Sequence, residues 1–156
     1  IGDWPFVHHP WPFALPYAPD GRTFTKDFIG AAALIQAAAS APHTLAFVGR
    51  DPRKVAAGPD TRVLDEVGRA IGTVLTCATD TAIGWVDGLV VSLASPGRPE
   101  GFDPKGLSCG FVRVERPLPA GSLLVLDDGR RRIEVAVAAD IRPDRTARRS
   151  MAQMWG

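Results

Sequence analysis

The chain has 156 residues, 46% of them hydrophobic and 22% charged, and a formal net charge of +1. That length allows one domain with a modest core plus an extension, in a composition ordinary for globular proteins. Near-neutral charge excludes a general pull towards nucleic acid, a membrane surface or acidic substrates, and no apolar run reaches the ~20 residues of a membrane helix.

Residues 1–25 place Trp4, Phe6, Trp11, Phe13 and Tyr17 among Pro5, Pro10, Pro12, Pro16 and Pro19. Proline fixes φ and removes a donor, so this stretch is predicted to be extended or looped. Its aromatics belong against another surface, either of this domain or of a partner domain. Asp27 reads as the N-cap of an alanine-rich helix from Phe28 to Ala39, which Pro42 prevents from continuing. From Thr44 the pattern changes to strands: Thr44 to Val48, Arg69 to Ala78, Ile83 to Ala94, Leu107 to Val114, Leu123 to Leu126 and Arg131 to Ala139. Asp87-Gly88 between two β-branched runs is a two-residue hairpin signal, and Asp127-Asp128-Gly129 is a second turn. After it, Ile133, Val135 and Val137 alternate with Glu134, Ala136 and Ala138, as in a strand with one buried face. Ser95 to Lys105 is a Pro/Gly-rich loop, and Pro117 to Gly121 is a turn. The expected fold is therefore mainly β, a small antiparallel Greek-key barrel of about six strands. A short helix and the aromatic, proline-rich segment precede it. The expected boundaries are 1–43 for the leading segment and helix, 44–140 for the barrel and 141–156 for a basic tail. The chain starts at Ile1 rather than methionine and has no signal-like start, as expected of a piece trimmed or processed from a longer protein.

Several segments together carry a resemblance. Lys26-Asp27-Phe28-Ile29-Gly30 with Ala33-Leu34 is followed by Phe47-Val48-Gly49 and by Asp51, Arg53, Lys54 and Val55. Gly68, Ile71-Gly72, Val74 and Thr76 come next, then Gly106 to Val112, then Pro119 and Gly121. In order and spacing, from Lys26 to about Asp140, they resemble the C-terminal barrel of the glycine-cleavage T-protein, or aminomethyltransferase-like, superfamily. The link from Asp80 to Pro104 is longer than in the common family pattern, and the basic tail has no counterpart there. Both departures suggest a divergent aminomethyltransferase-like or tetrahydrofolate-dependent demethylase branch. The K-G-C-Y-x-G-Q-E motif of the folate-linked iron–sulfur assembly relatives is absent. The resemblance implies a tetrahydrofolate cofactor in the intact protein, bound mainly by N-terminal folate domains that hold the acidic residue of the chemistry. The barrel then caps one end of the folate hole and holds no catalytic residue itself. The other class weighed is a non-catalytic binding or assembly module docking on a separate catalytic subunit.

Candidate side chains are few. His8-His9 with Asp3 make a poor chelate, because adjacent residues of an extended chain point to opposite sides, so no metal is expected. Cys77 and Cys109, far apart and in apolar runs, read as small buried hydrophobes. No spacing gives them a partner among His8, His9 and His43, so reduced thiols in a cytoplasmic compartment are expected. Asp87 is explained by its turn; Asp80 caps a strand end or faces the interdomain hole. Arg98 and Phe102 lie in the polar loop, where Phe102 either touches a ligand rim or, the reading favoured, folds back into a satellite cluster. Arg142, Arg145, Arg148 and Arg149 in the tail suit a carboxylate or an acidic partner, with a solvated tail favoured. Trp4, Trp11 and Phe13 suit a seam with the folate domain or self-packing equally. The residues carried forward for cofactor contact are Trp11, Asp80, Arg98 and Phe102.

Overall fold

The computed structural model describes residues 18–20, 23–38 and 42–139. Among these described residues there are one helix, α1 (Ala31–Ala38), and eight strands. These are β1 (His43–Gly49), β2 (Gly58–Leu64), β3 (Ala70–Asp80), β4 (Ile83–Val86), β5 (Leu89–Ser92), β6 (Leu107–Val114), β7 (Leu123–Asp127) and β8 (Arg132–Ala138). Six of them close into an antiparallel barrel in the order β1-β6-β3-β2-β7-β8, with β8 pairing back to β1; β4 and β5 form a separate two-stranded sheet. β2, β3 and β6 follow one another around the barrel and β1 lies beside β6, which is the Greek-key arrangement expected. Closure leaves the six barrel strands without a free edge.

Alternation along the strands builds two cores. Leu45 and Phe47 of β1, Val112 and Val114 of β6, Leu124 and Leu126 of β7, and Ile133, Val135 and Val137 of β8 fill the interior, with Val63, Ile71 and Val74. The intervening residues Ala46 and Val48, with Leu107 and Cys109, lie in a second cluster with Ile83. That cluster is on the outside of the barrel, and the β4–β5 hairpin covers it. β1 is therefore buried on both faces, which is why it reads as an unbroken apolar run rather than an alternating one. A bulge at Leu75, between the Val74–Val112 and Thr76–Phe111 pairs, lets Val74 and Cys77 both meet the interior although they are three residues apart. β3 and β6 approach so closely that β-carbons at Gly72 and Gly110 would collide with the carbonyl oxygens of Arg113 and Thr76.

Two expectations are corrected. Ile83 to Ala94 forms the hairpin that its Asp-Gly turn signals, outside the barrel, and Gly58–Leu64, not anticipated, supplies the sixth stave. Pro59, Asp60 and Arg62 hide it, because its pairing with β3 is broken by register shifts and much of it stays exposed. The helix begins at Ala31, not after Asp27. The backbone at Gly30 has φ +94°, and the Gly30 carbonyl accepts the Leu34 N–H at 2.9 Å, so Gly30 takes the capping position.

Candidate functional site

The hairpin organises what chemistry the described residues offer. Asp87 and Gly88 have φ of +48° and +78°, the paired positive values of a type I′ turn, whose twist matches that of the strands it joins. Ile83 and, two residues on, Trp85 face the barrel; Val90, opposite Trp85, packs on the same outer cluster. The Trp85 indole N–H donates to the Gly49 carbonyl at 2.9 Å, pinning the ring to the end of β1. On the hairpin's other face, Phe102 lies against Gly84, where an added β-carbon would come within 3.2 Å of the phenyl ring.

Three of the four residues carried forward gather around this hairpin. Asp80, at the end of β3, accepts the Ala82 N–H at 2.9 Å and turns the chain into β4. The Arg98 guanidinium donates to the Leu93 carbonyl and closes the loop after β5. Phe102, half-buried, is the satellite contact just described. Each thus has a structural partner. Trp11 lies outside the described residues, as do Trp4, Phe13, Asp3, His8, His9 and the arginine tail.

The cysteines face opposite sides of the barrel wall: Cys77 touches the interior core and Cys109 the outer cluster, and they form no disulfide. Burial pushes the Cys77 thiol up, against smaller opposing effects of a hydrogen bond with the Val55 backbone and of the Lys54 charge. A thiol so placed is a poor nucleophile at neutral pH. Among the described residues no cluster of three or more His, Cys, Asp or Glu side chains could hold a metal ion, and no helix is long and apolar enough to cross a membrane.

Beside the hairpin tip a groove of about 400 Å³ opens, lined by Val48, Arg50, Trp85, Gly88, Leu123 and Ala136. Its floor is one row of the barrel wall, since Val48 of β1 pairs with Ala136 of β8 and Ala136 pairs with Leu123 of β7. Trp85, 38% exposed, forms a wall, and Leu123 is 47% exposed. Among the described residues the Arg50 side chain, 68% exposed, reaches only Glu134, at 4.0 Å. A neighbouring groove of about 430 Å³ is lined by Arg50, Asp51, Arg53, Arg132 and Glu134 among others, and most of its charges are already paired. Arg53 chelates Asp51 and holds its carboxyl below the ordinary value, and Arg132 is bound to Asp127. The apolar groove with an under-committed cation is the better candidate. Sequence reasoning missed Arg50, Trp85, Leu123 and Ala136. A tryptophan two residues before an Asp-Gly turn was the available signal, but the other three come together only through barrel register. No protein-family model, curated protein or solved structure matches the chain.

Proposed function

We propose that this barrel is the C-terminal portion of a tetrahydrofolate-dependent aminomethyltransferase or demethylase-like protein of the cytoplasm. In this reading it caps a folate site held mainly by N-terminal domains and supports one-carbon transfer without supplying the catalytic residues. The observation that carries the reading is the position of the resembling segments on a closed six-strand barrel. Phe47-Val48-Gly49 ends β1, Ile71 to Thr76 lies in β3, Leu107 to Val112 in β6, and Pro119 to Gly121 turns into β7. The two glycines of the β3–β6 contact, Gly72 and Gly110, both belong to those segments. Ile29 is fully exposed and Ile35 is partly so, at the helix where the resemblance sets the junction with the folate domains; apolar side chains there suit burial by a neighbouring domain.

The barrel residues would shape the rim of the folate hole and exclude water from one end of it, while the folate accepts the one-carbon unit from a donor held by the other domains. A second reading, a non-catalytic module docking on a separate catalytic subunit, is favoured by one feature: the barrel and its hairpin bury two complete clusters by themselves. Calorimetric titration of tetrahydrofolate into the 156-residue chain, alone and joined to its folate domains, tests the proposal. Binding only in the joined protein is expected. Tight binding to the chain alone would overturn the capping role, and no binding in either would overturn the folate reading and leave the docking module.

A further inference from the structure

We propose that the groove between Trp85 and the outer wall of β1, β8 and β7 is a binding site for a small carboxylate with a flat apolar body. Val48, Ala136 and Leu123 form a row of three apolar side chains on adjacent strands, directed away from the barrel interior. The outer cluster on β1 and β6 is covered by the hairpin, through Ile83 and Val90. At the hairpin tip the cover stops: Gly88 has no side chain to continue it, and Leu89 points away, 70% exposed. Val48 lies under the cover at 1% exposure, while Ala136 is half-buried and Leu123 is exposed, beside an indole whose orientation is fixed by its bond to the Gly49 carbonyl. A fixed indole wall over an apolar floor accepts a planar ring by stacking and burial, with the indole already ordered before binding.

Charge sets the second half of the ligand. Arg50 is two residues beyond Val48 on the same strand path, so it stands one row further along the same outer surface. Among the described residues it is the only charged one lining this groove. Glu134, its neighbour at 4.0 Å, is beyond hydrogen-bond distance and is not among the lining residues. A guanidinium so placed offers its planar fork to a carboxylate, which binds it in a bidentate manner. About 400 Å³ is the scale of a small-molecule site rather than of a bound helix or strand.

The inference stands apart from the folate reading, and its probe contains no pteridine. 2-Naphthoate and its uncharged analogue 2-naphthalenemethanol are titrated into the full chain while the Trp85 indole N–H resonance is followed by NMR. That resonance is assigned as the one missing from Trp85→Phe. Naphthoate is expected to shift it and to bind about tenfold or more tightly than the alcohol. Arg50→Gln, a change at an exposed side chain, is expected to erase that preference while leaving the fold intact. A bulky residue in the floor, Leu123→Trp, should weaken both ligands. No shift at millimolar naphthoate, equal affinity for acid and alcohol, or a preference that survives Arg50→Gln would each overturn the proposal. So would markedly tighter binding of a short peptide ending in phenylalanine, which would make the groove a C-terminus reader.

Discussion

Asp127 shows how a single side chain ties this barrel's end together. It is 4% exposed, yet its carboxylate is fully engaged. It accepts the Gly129 N–H at 2.8 Å within its turn, Arg132 Nε at 2.9 Å from β8 and Arg62 Nη2 at 3.4 Å from β2. Next to it Asp128 accepts the Ala56 N–H at 2.9 Å, joining the β7–β8 turn to the loop between β1 and β2. Both carboxyls are held below their ordinary value, Asp127 first by the Gly129 N–H and then by Arg132 and Arg62, Asp128 first by the Ala56 N–H. A depressed folded-state value means that the stabilisation is complete above the unfolded pKa and is lost as pH falls through the folded one. Asp127→Asn is therefore expected to be less stable than the parent at neutral pH. The gap should narrow as pH falls below about 4, the ordinary carboxyl value. Urea midpoints measured from pH 7 down to pH 2 check this; parallel curves would show that the carboxylate contributes nothing through its charge.

Among the strands, the β4–β5 pair stands apart, because it touches the barrel through side chains and not through a shared ladder. Its turn needs positive φ at both central residues, and Gly88 meets that need without the strain a β-carbon brings. Gly88→Ala should cost about 1–2 kcal/mol. The loss should show locally, as faster hydrogen exchange of the Trp85 indole N–H, with little change at Phe47 in the barrel interior; uniform loss across the barrel would mean that the hairpin is integral to its folding. This element also shows what sequence can and cannot tell. Asp87-Gly88 announced the turn, the alternation of Ile133, Val135 and Val137 announced β8, and the β-branched runs announced most of the barrel. What the residues did not announce is where the hairpin sits, since the same alternation serves a stave of the barrel or a flap on its outside. Gly58–Leu64 was illegible for the opposite reason: its proline and charges speak against a strand, and only pairing with β3 and β7 makes it one. The groove was invisible because Arg50, Trp85, Leu123 and Ala136 lie far apart in the chain and meet only through the register of three strands. Asp80, Arg98 and Phe102 were legible as residues with work to do, and that work is holding the hairpin.

At the scale of the whole molecule, closure is made by the pairing of β8 with β1, in which Ala138 lies opposite Ala46. The strand that opens the barrel and the strand that completes it are thus immediate neighbours, running in opposite directions. His43, three residues before Ala46, is then only about 10 Å from the end of β8. The order in which the staves are encoded is consequently arbitrary to the folded barrel. A linker of roughly five residues could join Ala139 to Pro42, with new ends opened between Arg98 and Pro99 in the exposed loop after the hairpin. That cut spares both the Arg98 bond to Leu93 and the turn in which the Phe102 N–H meets the Pro99 carbonyl. Such a circular permutant should fold to the same strand content and unfold cooperatively, as read by circular dichroism against the linear 42–139 unit. Failure of the permutant alone would show that the barrel depends on the order in which its staves are made, whereas success would make it a cassette that can be inserted through that loop into another protein.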